Sequence, residues 1–185
     1  MKYNIIFVIC GFFLDTILNL LVSNGFSSNA IVFIPCIGLC CLLLICKDLD
    51  VVNCFIVSMS FGMMYDFLLA KTNLLYAFLF VILAFIARSW SKHYTETVIE
   101  MILLLVSTIF IKEVLLYLFY SIFYGSDVAF ETWFVFRVLP TLIFNGILSF
   151  IVIYFFHLKD DLLEIKINKD RKKEKILWVK LSSKQ

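Results

Sequence analysis

Charge is scarce in this chain, and where it is missing says more than where it is found. Only 16% of the 185 residues are Asp, Glu, Lys or Arg, whereas 63% are hydrophobic, 17% are aromatic and the mean hydropathy is +1.00. Soluble domains carry about 25% charged and 45–50% apolar residues. The scarcity is sharper than the average suggests. Residues 159–185 hold nine of the sixteen Lys/Arg and five of the fourteen Asp/Glu, leaving seven bases and nine acids for the first 158 positions. A water-soluble fold of this size needs a larger polar shell, so most of its apolar surface must face something other than water. The sequence reads as an all-α integral membrane protein: a transmembrane bundle over 1–158 and a basic tail over 159–185. A net charge of +2 leaves no nucleic-acid footprint.

Other absences narrow the chemistry. There are two histidines, His93 in a loop and His157 at the end of an apolar run, no cysteine follows Cys54, and no HExxH or CxxC occurs. Neither a Ser/Lys, paired-Asp, zinc or Cys/His protease constellation nor a phosphate-cradling glycine loop is present, so no catalytic residue, metal or cofactor is expected. With only six glycines there is no repeated carbonyl-lined path of the kind a channel needs. Cys10, Cys36, Cys40, Cys41, Cys46 and Cys54 lie in or beside apolar runs and read as small buried hydrophobes rather than a disulfide framework. The N-terminal run lacks a small-x-small cleavage site and is expected to be retained as a span.

Six apolar runs approach the roughly 20 residues that a bilayer core of about 30 Å requires. They are Asn4–Val22, Ala30–Cys46, Val51–Leu69, Leu74–Arg88, Val98–Phe123 and Phe134–Leu158, the third and fourth forming a tight hairpin. With the N-terminus inside, Lys2, Lys47, Arg88, Lys92 and the tail fall on the cytoplasmic side, against Lys71 and Arg137 outside, which is the polarity of the positive-inside rule. The tail is expected to be a solvated extension held near anionic lipid, with docking to a cytoplasmic partner as the alternative.

Polar residues inside the spans are few enough to weigh singly. Gly11, Asp15 and Asn19 recur at i, i+4, i+8, as do Ser58, Gly62 and Asp66, while Arg137, Thr141, Asn145 and Ser149 continue that spacing. Such stripes are the faces along which membrane helices meet. Ionisable groups at membrane depth find partners, and Asp15, Asp66, Lys112 and Arg137 lie at similar depth. The expected pairs are Asp66 with Arg137 and Asp15 with Lys112, with Glu113 joining the cluster or facing a partner protein. Pro35 and Pro140 are expected to kink their spans.

Phe61-Gly62-Met63-Met64-Tyr65-Asp66, a short loop and a second apolar helix ending at Arg88, then Arg137-Val138-Leu139-Pro140 with Asn145 beyond, resemble the MreD family of bacterial rod shape-determining membrane proteins along essentially the whole of 1–158. The chain departs in having Asn73 where many members place glycine, and in its longer basic tail. The resemblance implies a non-catalytic plasma-membrane subunit of the cell-elongation complex. Such a subunit binds the bitopic MreC protein and links MreB filaments to the peptidoglycan synthase RodA and its class B penicillin-binding partner. It also implies a fold similar to the substrate-binding S components of energy-coupling-factor vitamin transporters, the alternative function. Those components dock through an alanine-x-x-x-alanine surface on the first helix, and span 1 here has no alanine.

Overall fold

The computed structural model describes residues 2–21, 31–70, 72, 74–92, 97–124 and 129–182. The uncharged loop 23–29, Lys71, Asn73, His93 and Asp127 lie outside the described residues. The described chain is helical, without strands: α1 (Lys2–Leu21), α2 (Ile37–Cys46), α3 (Val51–Tyr65), α4 (Leu75–Ser91), α5 (Val98–Tyr124), the single turn α6 (Phe130–Trp133) and α7 (Leu139–Ser182). Wide π turns extend α3 over Asp66–Ala70 and join α6 to α7 over Phe134–Val138.

Among the described residues four stretches are long and apolar enough to cross a membrane, namely Tyr3–Leu20, Val51–Ala70, Val98–Phe123 and Phe130–Lys169, and α2 and α4 are shorter apolar helices. The second expected span therefore differs from the reading above. Residues 31–36 are not helical, and α2 begins only at Ile37. Pro35 accounts for the break: it has no N–H to donate, and its ring disfavours helical geometry at Ile34. What was expected as a kink is an interruption.

Ile-Gly-Leu-Cys-Cys-Leu-Leu-Leu-Ile-Cys is apolar on every side, and all ten residues of α2 are buried. It forms the axis of the bundle, packed by α1, α3, α4 and α7, while α5 closes the far side against α4 and α7. The outward faces carry Phe13, Phe55, Phe78, Leu103, Ile143 and Phe150, all exposed. In water this surface would be unstable; in hydrocarbon it is already solvated.

Close approach of two helices depends on missing side chains. A Cβ on Gly62 would stand 2.5 Å from the Ala77 Cα and 2.8 Å from the Tyr76 carbonyl oxygen. Both are backbone and cannot yield, so α3 and α4 touch at this point. Gly62→Ala is expected to cost about 1–3 kcal/mol by overpacking, lowering the melting temperature of the purified protein in detergent. Gly146→Ala is the control. Its added carbon would meet nothing nearer than 3.8 Å, and that variant should melt no lower than the parent.

α7 does not stop where the composition changes. It runs unbroken past Leu158 to Ser182, a rod of about 66 Å at 1.5 Å per residue, so its charged half leaves the apolar bundle as a helix. At the same end of the bundle, α5 opens with a capping box in which Thr97 and Glu100 exchange side-chain-to-backbone bonds of 3.4 Å.

Candidate functional site: a polar core around an interrupted helix

The three small and polar stripes face inward. Gly11, Asp15, Ser58, Gly62, Asp66, Thr141, Asn145 and Ser149 are all buried, with Asn19 and Arg137 half-buried at the stripe ends. The polar side chains are not spent on one another as expected; most of them hold backbone.

Segment 31–36 would be untenable in hydrocarbon if its peptide groups went unbonded. The second π turn and α7 supply the bonds. The Val32 N–H donates to the Phe136 carbonyl at 2.9 Å; in a regular helix that carbonyl would accept from the N–H of residue 140, which is Pro140 and has none. One proline thus leaves an acceptor for the segment that the other proline has unwound. The Ile34 N–H donates to Thr141 Oγ1 at 3.4 Å. Asn145 then clamps both edges, accepting from the Cys36 N–H at 2.8 Å through Oδ1 and donating through Nδ2 to the Ile34 and Thr141 carbonyls, each at 2.8 Å.

The two aspartates do the same for helix starts. Asp15 accepts from the N–H groups of Ile37 and Gly38, both at 2.7 Å, one per carboxylate oxygen. Asp66 accepts from the Tyr76 N–H at 3.1 Å and the Ala77 N–H at 2.8 Å, and also from the Thr72 hydroxyl. Each carboxylate from one helix therefore caps the N-terminus of another. The first N–H groups of a helix lack intrahelical partners and carry about half a positive charge between them, so they compete with Lys and Arg for an anion. The expected pairs Asp66–Arg137 and Asp15–Lys112 are corrected accordingly.

The bases gather on Glu113 instead. Arg137 Nε donates to Glu113 Oε2 at 3.0 Å, and Lys112 Nζ lies 2.8 Å from Glu113 Oε1 and 3.0 Å from Cys36 Sγ. Glu113 is fully buried. Two residues adjacent on a helix point about 100° apart, but the long lysine chain curls back to its neighbour. Glu113 therefore turns into the cluster rather than toward a partner. Pro140 contributes through the acceptor it leaves and the π turn beside it.

Beneath the cluster an aromatic layer seals the interior, with Phe12 stacked on Phe61 and Phe80 at 5.6 and 6.0 Å and Tyr65 against Tyr76 at 4.6 Å. The space left among Asp15, Cys36, Tyr65, Tyr76 and Lys112 is only about 10 Å³. That is room for about one water. Sequence reasoning missed Cys36 as a neighbour of Lys112, since it took every cysteine for a hydrophobe; Cys10 moreover is exposed while the other five are buried. The signal available was Pro35 beside it, which marks a helix start where polar groups converge. Among the described residues no group of three or more His, Cys, Asp or Glu is placed to hold a metal ion. Comparison with protein-family models, with curated proteins and with solved structures returns no match for this chain.

Proposed function

We propose that the chain is a non-catalytic scaffold subunit of a bacterial plasma-membrane complex, crossing the bilayer six times with both termini in the cytoplasm. The observation that carries this reading is how fully the polar core is engaged: among the described residues only Glu113 Oε1 is buried without a hydrogen bond, and it lies 2.8 Å from Lys112 Nζ. Asp15, Asp66 and Asn145 are occupied with backbone, Lys112, Glu113 and Arg137 with one another, and the space beside Asp15 and Lys112 is about 10 Å³. A site for a small organic substrate needs about 300–1,000 Å³. Groups so engaged serve the register of the bundle and leave its outer surfaces for recognition.

Six crossings are supported by length. The ten residues of α2 rise about 15 Å, and six extended residues ahead of it can add about 20 Å, together enough for a core of about 30 Å. The likeness of Gly62-Met63-Met64-Tyr65-Asp66 and Arg137-Val138-Leu139-Pro140 to MreD sequences supplies the partners. A bitopic MreC-like protein binds the bundle, and through it the chain links MreB to RodA and a class B penicillin-binding protein, in a lipid setting and without nucleic acid.

One observation favours a second reading, an S component of an energy-coupling-factor transporter with a related fold. Interrupted helices whose N-termini face a polar cluster are the usual way that transporters bind anionic substrates. Affinity purification of the tagged chain from its native membrane, with mass spectrometry of co-purifying proteins, separates the two. The scaffold reading expects an MreC-like protein, RodA or a penicillin-binding protein; paired ATPases with a coupling membrane subunit would overturn it.

A further inference from the structure

Away from the polar core lies a groove of about 550 Å³ between α1 and α7, floored by α2. We propose that this groove holds one anionic glycerophospholipid drawn from the leaflet on the side of the chain termini. Its walls are Phe7 and Leu14 on α1 and Leu148 and Phe155 on α7, over Cys41. Leu14, Ile151 and Phe155 are about half exposed along it, so it opens sideways onto whatever surrounds the bundle.

Its length selects a lipid over a helix. The stretch between Tyr3 and Leu14 on α1, and that between Leu148 and Lys159 on α7, each rise about 16 Å, close to half of a core of about 30 Å. Beyond Leu14 and toward residue 145 the groove is shut by the bonds already described: Asp15 ties α1 to the start of α2, and Asn145 and Thr141 tie α7 to the segment leading into it. A partner's transmembrane helix would need the full thickness. An acyl chain of one leaflet needs half.

Its mouth selects the headgroup. Lys159, Leu162, Leu163 and Lys166 turn one face of α7 toward the groove, while Asp161 and Glu164 are exposed and do not line it. Lys159 Nζ is fixed by Asn4 Oδ1 at 3.0 Å and Asp160 at 3.0 Å, and sits 4.1 Å from the Phe156 ring centroid. Lys166 Nζ donates to the Tyr3 hydroxyl and lies 5.0 Å from that ring. Two ammonium groups and a phenol are thereby held where α1 and α7 meet the interface. Lysines at that level favour anionic headgroups by a factor on the order of five each.

Native mass spectrometry of the full-length protein, after exchange in vesicles of equimolar dioleoylphosphatidylglycerol and dioleoylphosphatidylcholine, reads this directly. The expected result is one retained phosphatidylglycerol per chain, at least fivefold over phosphatidylcholine. Lys159→Gln with Lys166→Gln should remove that preference, and Leu14→Trp with Ile151→Trp should remove retention of both lipids. Lys166 is exposed and Lys159 half-buried, outside the close-packed core, so the lysine pair remains informative if the tryptophan pair fails to accumulate. Absence of retained lipid, equal retention of the two classes, an unchanged preference in the glutamine pair, or a dimer that the tryptophan pair dissociates would each overturn the proposal.

Discussion

Glu113→Leu is expected to be the most damaging single change in the bundle, costing about 3–5 kcal/mol because it takes from buried Lys112 and half-buried Arg137 the carboxylate that they share. Lys112, buried, and Arg137, half-buried, both direct their charge to this one carboxylate. The measurement is the melting temperature of the purified protein together with its abundance in the membrane. Removing the whole group should be far milder than removing the acid alone. The triple variant Lys112→Leu, Glu113→Leu, Arg137→Leu is expected to regain most of the loss, since ion pairs replaced entirely by apolar side chains are often neutral. A double-mutant cycle locates the partner: Glu113 with Arg137 should couple by more than about 0.5 kcal/mol, whereas Asp66 with Arg137 should add within that margin. If the Asp66 cycle couples and the Glu113 cycle does not, the ion-pair arrangement described above is wrong.

That contrast shows what could be read from residue order and what could not. The inward faces were legible, because a recurrence of small and polar residues every fourth position along Ser58, Gly62, Asp66 or Thr141, Asn145, Ser149 defines a helix face without knowledge of its neighbours. The burial of Cys36, Cys40, Cys41, Cys46 and Cys54 was legible from the apolar runs around them. The partners of the acids were not. Pairing Asp66 with Arg137 weighs formal charges and depth alone, but a helix N-terminus is also a cationic partner, and its position depends on where a neighbouring helix begins. For α2 that start is set by Pro35 and for α4 by the turn at Leu74, whose backbone lies in the left-handed region with φ of 62°. Asn145 was visible only as one more polar residue in a stripe. Its work as a clamp on the Ile34 and Cys36 peptide groups exists only because the chain 109 and 111 positions earlier has lost its helix, a fact that no local pattern within span 6 encodes.

The same logic makes Asp15 the second critical position. Asp15→Leu removes both acceptors from the first turn of α2, and the Ile37 and Gly38 N–H groups, now bonded at 2.7 Å, would stay unsatisfied in a bundle that admits almost no water. Hydrogen bonds to a charged group contribute about 1.5–3 kcal/mol each, so a loss of about 3–5 kcal/mol is expected. Asp15→Asn keeps one oxygen acceptor and most of the shape but gives up the charge that faces the helix dipole, and should lose about half as much. Overall stability alone would not distinguish a broken cap from a generally loosened core. Amide hydrogen–deuterium exchange does: peptides covering 31–46 should exchange faster in the leucine variant while those covering 51–65 keep their protection, because α3 is held to α4 through Gly62 and Asp66 and not through Asp15. Equal acceleration in both segments would mean that the substitution loosens the core as a whole rather than breaking the cap of α2. Unequal acceleration confined to the start of α2 would make one aspartate the point at which α1, the start of α2 and the closed end of the groove between α1 and α7 are fastened together.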